Sequence, residues 1–186
     1  LVHGGKITSG SYFVKISQRD GFDDNAFIGA VILHPGSVYK RRWYANDGYL
    51  QNAIGKAGYS EVDLCGMSGG GSLKPSIYRN GRALLSFSDN EASTDRNYVF
   101  DDVTFNEYKG HYSDLEIAKN ISFKRCSVPM SGLKALTATE SFYAENCDFK
   151  FTEVVGVINC IVEAKDATIR FCSFADGINL SFLTLS

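Results

Sequence analysis

The sequence predicts an all-β fold, and within that class a β-solenoid in which short strands wind into stacked coils. Its 186 residues include 13 Phe, 10 Tyr and 1 Trp, and aromatic residues favour strands. Only 3 residues are Pro, which suits unbroken strand pairing because proline cannot donate to a sheet ladder. A repeat in the second half of the chain then favours the solenoid over other all-β folds.

The repeat has four segments that align without gaps on one pattern: apolar, x, apolar, x, x, apolar, x, apolar. They are residues 98–105, 121–128, 142–149 and 167–174, centred on Val103, Cys126, Cys147 and Cys172. The centres are 23, 21 and 25 residues apart. Alternation in each half of the pattern indicates a short strand with one buried face. The central interruption keeps both buried faces inward only if the chain bends there.

The residues at these bends carry charges whose sign alternates from coil to coil. They are Asp101-Asp102, Lys124-Arg125, Glu145-Asn146 and Arg170-Phe171. Opposite charges on neighbouring parallel strands attract each other, so these acids are expected to hold coils together rather than to catalyse. Stacking also predicts inward columns of like residues, which are Phe105, Val128, Phe149 and Phe174 in one column and Cys126, Cys147 and Cys172 in another.

Coils of the Phe-x-x-Cys-x-Phe type, with Asn or an acid before the Cys, resemble the pectate-lyase-like superfamily. That superfamily includes bacteriophage tailspikes and many polysaccharide lyases and hydrolases. The resemblance covers residues 95–180 well and residues 1–35 loosely, through Gly4 to Gly10 and Tyr12 to Ile16. It implies a right-handed parallel β-helix, assembly as a homotrimer, and binding of a bacterial surface polysaccharide. It also implies a place in the virion tail after assembly in the host cytoplasm, with an extracellular location as the alternative.

A pentapeptide-repeat solenoid is a second interpretation of the same pattern. Phe100 and Phe105, and then Phe123 and Val128, keep a five-residue spacing for two repeats. A third alternative concerns function rather than fold: a non-catalytic solenoid that only spaces or docks the parts of a virion or another particle.

The first half of the chain is less regular, and residues 36–80 are predicted to form a loop-rich insertion beside the regular coils of residues 95–180. Residues 26–33 predict a strand. Residues 76–87 predict a hairpin with an Asn-Gly turn, or alternatively a coil corner. No convincing helix of ten residues or more is expected, because Gly48 and Gly55 weaken the nearest candidate, residues 45–57.

The chain ends and the cysteines give expectations about the extent of the domain and about disulfides and metal sites. The chain starts at Leu1 rather than Met and ends in strand-like residues, so we expect 1–186 to be one solenoid domain or a fragment of a longer protein. The five cysteines include no Cys-x-x-Cys pair, which argues against zinc and against a closed disulfide framework. We therefore expect buried free thiols, with no metal and no cofactor.

The balance of charge and apolar residues excludes two classes of partner. The net charge of −2 argues against nucleic acid as a binding partner. No apolar run approaches the roughly 20 residues of a membrane span.

Glycan recognition requires flat aromatic faces for sugar rings and planar polar groups for hydroxyls. One cluster in the first half offers both, and its predicted substrate-binding residues are Arg41, Arg42, Trp43, Tyr44 and Tyr49. A smaller second cluster contains Tyr108, His111 and Tyr112. The competing interpretation is that these aromatic residues pack under loops.

Glycoside cleavage requires two carboxyl groups, about 5–5.5 Å apart for retention or about 6.5–9.5 Å apart for inversion. The catalytic candidates are two pairs in the irregular half, Asp23 with Asp24 and Glu61 with Asp63. Neither pair forms a diagnostic motif, and surface acids are usually solvated. Whether the protein is a glycoside hydrolase, a polysaccharide lyase or no enzyme therefore stays open at this point.

Overall fold

A computed structural model of the chain describes residues 13–14, 29–85, 96–106, 116–131, 133, 135–151 and 160–186. Within these ranges the strands are β1 (Phe13–Val14), β2 (Ile32–Leu33), β3 (Val38–Lys40), β4 (Glu61–Asp63), β5 (Ser76–Leu84), β6 (Asn97–Asn106), β7 (Glu116–Lys124), β8 (Ser127–Pro129), β9 (Ala135–Glu145), β10 (Asp148–Lys150), β11 (Cys160–Arg170), β12 (Ser173–Phe174) and β13 (Ile178–Leu185). A short 3-10 helix (Arg41–Trp43) and the α-helix α1 (Asp47–Ala57) lie between β3 and β4.

The strand pairings described for this chain are parallel, and they build two faces that meet at a bend. On one face, neighbouring strands pair in the order β3, β4, β5, β6, β7, β9, β11 and β13. The other pairs β6 with β8, β8 with β10, and β10 with β12. The predicted β-solenoid is therefore confirmed, and the right-handed winding stays a prediction.

The repeat segments stack in the register that the sequence predicts. Their first positions form one column of paired residues: Tyr98, Ile121, Phe142 and Ala167. At the bends one residue adopts a left-handed backbone, with φ between 51° and 56°, in the column Cys65, Asn80, Asp102, Arg125, Asn146 and Phe171. This conformation turns the chain between the two faces, and Asn and Asp adopt it more readily than most residues.

The hairpin predicted for residues 76–87 is wrong, and its alternative, a coil corner, is correct. β5 runs parallel to both neighbours, with Ile77 paired to Glu61 on one side and to Val99 on the other. The Asn-Gly dipeptide serves the corner instead of a hairpin turn, because Asn80 supplies the left-handed residue. With Cys65 on the coil before it, the regular corners therefore begin two coils earlier than the sequence pattern indicated.

The expectation of no helix of ten residues is also wrong, because α1 has 11 residues. The Asn46 side chain accepts a hydrogen bond from the Tyr49 backbone N–H at 2.9 Å and so caps the first turn. Burial of Leu50, Ala53 and Ile54 outweighs the roughly 1 kcal/mol that each glycine costs a helix.

Aromatic rings fill the interior of the regular coils. The Phe149 and Phe174 rings stack with centroids 4.7 Å apart, and the Phe123 ring meets the Phe149 ring edge-on at 5.6 Å. The cysteine column also forms as predicted, since Cys126 and Cys147 are buried in adjacent coils and the Cys126 backbone N–H donates to the Cys147 Sγ at 3.4 Å.

The alternating charges at the bends extend further than the sequence indicated. The paired positions run Lys40, Asp63, Arg79, Asp101, Lys124, Glu145 and Arg170, so each basic residue has acidic neighbours. The Arg79 guanidinium lies 3.1 Å from Glu61 and 3.7 Å from Asp101. Arg125 forms a further ion pair with Asp101.

We expect Arg79→Glu to lower the free energy of unfolding by about 1–2 kcal/mol, because two part-exposed ion pairs are lost and like charges then face each other. Urea titration measures the loss, which should shrink at high salt. Arg82→Glu is the matched control, since it makes the same change of net charge at an exposed position of the same strand, opposite Thr104. Equal destabilisation by the two variants would contradict an electrostatic role for the column.

Candidate functional site

A groove of about 390 Å³ opens at the side of the first coils, between the turn after β2 and the end of α1. Its lining residues are Leu33, His34, Pro35, Gly36, Ser37, Tyr39, Lys56, Ala57, Tyr59, Ser60, Glu61 and Ile77. Concave sites that take small ligands typically have volumes of about 300–1,000 Å³ and carry a few polar groups on apolar walls. The groove fits that description and is the candidate site.

Two glycine turns build the walls of the groove. In the first, the Ser37 N–H donates to the His34 carbonyl at 3.0 Å, and Gly36 takes a positive φ of 83°. In the second, α1 ends as the Gly58 N–H donates to the Ile54 carbonyl at 2.8 Å, with φ of 84° at Gly58. Both glycines occupy a backbone region that L side chains rarely adopt. The chain then passes along the groove into β4.

The groove carries donors, acceptors and one accessible aromatic ring. Tyr59 is 54% exposed, and burial of its hydroxyl raises its pKa, so the phenol stays a neutral donor at physiological pH. The His34 Nδ1 lies 2.9 Å from the Pro35 carbonyl oxygen. Because a carbonyl oxygen only accepts hydrogen bonds, Nδ1 is the donor in this contact. Lys56 contributes an exposed cation and Glu61 a part-exposed carboxylate.

Of the two catalytic candidates that the structure describes, Glu61 lines the groove and Asp63 is not among its lining residues. Its carboxylate is held by the Arg79 guanidinium at 3.1 Å. Asp63 lies two residues further along the same strand, where its Oδ1 accepts from the Cys65 N–H at 2.9 Å. Both acids therefore take part in local interactions around the bend. Asp23 and Asp24 lie outside the described residues.

The predicted binding cluster around Trp43 is mostly interior. Trp43 and Tyr44 are 5% and 2% exposed, and the Tyr44 hydroxyl donates to the Val31 carbonyl at 2.7 Å. Arg41 is also buried, and it donates to the carbonyls of Ser68 and Tyr44, at 2.8 Å in each case. A sugar ring stacks only on an accessible ring face, so these aromatic rings serve packing in this structure.

The rest of the predicted binding residues are scattered. Arg42 is exposed, and Tyr49 is half-buried against the core. The second cluster, Tyr108, His111 and Tyr112, lies outside the described residues. Sequence reasoning missed Tyr59 and Lys56. The signal for both was the end of a helix at Gly58 directly before a strand, and it was hidden because the helix itself was not expected.

Comparisons of the chain with protein-family models, curated proteins and solved structures find no match. The resemblance to the pectate-lyase-like superfamily therefore depends on the coil pattern and on the solenoid architecture alone. Within the described ranges, no group of three or more His, Cys, Asp or Glu side chains is arranged to hold a metal ion. In the same part of the chain no helix is both long enough and apolar enough to cross a membrane.

Proposed function

We propose that the protein is a carbohydrate-recognising β-solenoid module that binds its glycan in the groove beside Tyr59. The observation that carries the proposal is the exposed ring of Tyr59 at a concave site, flanked by the polar groups of Lys56, Glu61, His34 and Ser37. An aromatic body with a polar tip suits a ligand that has both apolar and hydroxyl-bearing surfaces. Sugar rings combine those two kinds of surface.

The expected ligand is a bacterial surface polysaccharide, and the expected setting is a trimeric tailspike-like protein of a virion tail. Both expectations derive from the coil resemblance. The groove favours binding over cleavage, because Glu61 is the one carboxylate among its described lining residues and the two-carboxyl mechanism needs a partner. The Glu61 carboxylate is also engaged by the Arg79 guanidinium, at 3.1 Å.

We expect Tyr59→Ala to weaken glycan affinity about tenfold, equivalent to about 1.4 kcal/mol, because the accessible ring is removed. The measurement is binding of the purified chain to a panel of bacterial capsules and O-antigens, followed by titration of the best ligand. Tyr143→Ala, on β9 and away from the groove, is the matched control and should bind like the parent chain. If the parent chain binds and both variants bind equally well, the glycan site lies elsewhere.

A second candidate function is that of a non-catalytic structural solenoid. The observation that favours it is an apolar surface at the last coil, where Leu183 and Leu185 are 84% and 63% exposed. An exposed apolar surface of this kind suits docking onto another part of a particle. No binding and no released sugar ends across the whole glycan panel would favour this role over the first.

A further inference from the structure

We propose that Cys147 and Cys172 form a redox-responsive thiol pair that closes to a disulfide on reaction with a low-molecular-weight disulfide such as glutathione disulfide. The pair lies in the column of Cys126, Cys147 and Cys172 that lines the bend of three successive coils. All three thiols are free in the structure. The proposal is independent of glycan binding.

The strand register places the two cysteines side by side. Asp148 pairs with Ser173, so the preceding residues Cys147 and Cys172 face each other across β10 and β12. The Ser173 N–H donates to the Cys147 carbonyl at 3.0 Å and fixes this alignment. Paired strands lie about 4.8 Å apart, which is within the separation of about 4.4–6.8 Å between α-carbons that a disulfide bridges.

The middle cysteine of the column is the best placed to hold a thiolate. The Cys147 sulfur accepts from the Cys126 backbone N–H at 3.4 Å, and the neighbouring thiols of Cys126 and Cys172 also contact it. These hydrogen bonds lower the pKa of Cys147, whereas burial raises the pKa of Cys172. A thiolate is the form that attacks a disulfide.

The two ends of the cysteine column, Cys126 and Cys172, differ in how accessible their thiols are to solvent. Cys126 and Cys147 are 3% and 4% exposed, whereas Cys172 is only half-buried and follows the largely exposed Phe171. A reagent in solution therefore meets Cys172 first. Cys147 stands behind it as the resolving thiol.

The reaction has two exchange steps. The Cys172 thiol passes its proton to the Cys147 thiolate and attacks one sulfur of the small disulfide, which forms a mixed disulfide and releases the first glutathione. The Cys147 sulfur then attacks the Cys172 sulfur and displaces the second glutathione. In total the Cys172 thiol and the Cys147 thiolate are oxidised by two electrons, and one glutathione disulfide is reduced to two glutathione molecules. One of these carries the proton from Cys172, and the other leaves as a thiolate that takes its proton from water.

The reduced chain of residues 1–186 is incubated with glutathione disulfide, blocked with an alkylating agent and digested with trypsin without reduction. Because trypsin cleaves after Lys and Arg, the three cysteines of the column fall on separate peptides, 126–134, 135–150 and 171–186. The expected product is a cross-link between 135–150 and 171–186. Cys147→Ser should instead retain a glutathione adduct on 171–186, because nothing resolves the mixed disulfide.

Cys65→Ser is the matched control, since Cys65 is another half-buried thiol but lies outside the column. It should form the same cross-link at the same rate as the parent chain. The proposal is overturned if the parent chain keeps the adduct on 171–186 without a cross-link. It is equally overturned if 126–134 and 135–150 become the main linked pair, or if all three thiols stay unmodified.

Discussion

Phe123→Ala is expected to lower the free energy of unfolding by about 3–5 kcal/mol, the loss typical of a large aromatic removed from a packed core. The Phe123 side chain is 0% exposed. Its ring lies 5.4 Å from the Phe100 ring and 6.0 Å from the Phe142 ring in adjacent coils. It also meets the ring of Phe149 from the second face. One substitution therefore removes contacts between coils and between faces together.

The loss should be near the upper end of that range because the cavity cannot close. The neighbouring rings belong to strands whose spacing is fixed by backbone hydrogen bonds, so they relax only slightly. Urea denaturation of the purified variant measures the effect. Phe171→Ala is the matched control, since that ring is 84% exposed, and it should change stability by less than about 0.5 kcal/mol. Comparable losses in the two variants would show that Phe123 is not packed as described.

Gly81→Ala is the second large effect, with an expected loss of about 3 kcal/mol, at the upper end for overpacking a core. A methyl group at Gly81 would lie 2.3 Å from the Leu64 Cβ and 2.7 Å from the Met67 carbonyl oxygen. Neither atom can move away easily, because the Met67 carbonyl also accepts from the Arg82 N–H at 3.0 Å and the Leu64 N–H donates to the Arg79 carbonyl at 2.8 Å. The strand must therefore shift or the corner must open.

Gly55→Ala provides the matched control, because the same substitution should there have the opposite sign. Gly55 lies on the exposed side of α1, and the nearest atom to an added methyl group is the flexible Lys74 Cε at 3.4 Å. Helix propensity then predicts a gain of up to about 1 kcal/mol. Thermal and urea unfolding of both variants measures the pair. A neutral or stabilising Gly81→Ala would contradict the close approach of Leu64 to the corner.

The coils with an apolar residue at each inward position could be predicted from the sequence, whereas the coil of β5 was predicted only as an alternative to a hairpin. Its inward positions hold Ser76 and Gly81, paired with Tyr98 and Val103. An apolar template rejects both residues. The structure shows why they are there, because the Leu64 side chain fills the space above Gly81. In this coil, a side chain from the neighbouring coil fills the space that the repeat pattern assigns to an apolar residue of the coil itself.

The candidate site was less predictable because it joins segments that are distant in sequence. His34 and Tyr59 line one groove, yet no spacing rule relates them. The burial of Trp43 and Tyr44 was equally hidden, since an aromatic residue beside arginines can face either solvent or core. Glu61 could be predicted as a candidate because it forms a pair of acids with Asp63 in the irregular half of the chain. Its ion pair with Arg79 could not, since that contact depends on the register of the coils.

The alternating charge column has a consequence for how such a chain can change length. Excision of the single coil that carries Lys124 would place Asp101 beside Glu145, so two acids would face each other. Excision of that coil together with the one carrying Asp101 would instead place Arg79 beside Glu145, and attraction would be kept. Like charges on paired strands are unfavourable. We therefore expect duplication or loss of coils to keep the attraction along the column only when the number of coils changes by an even number.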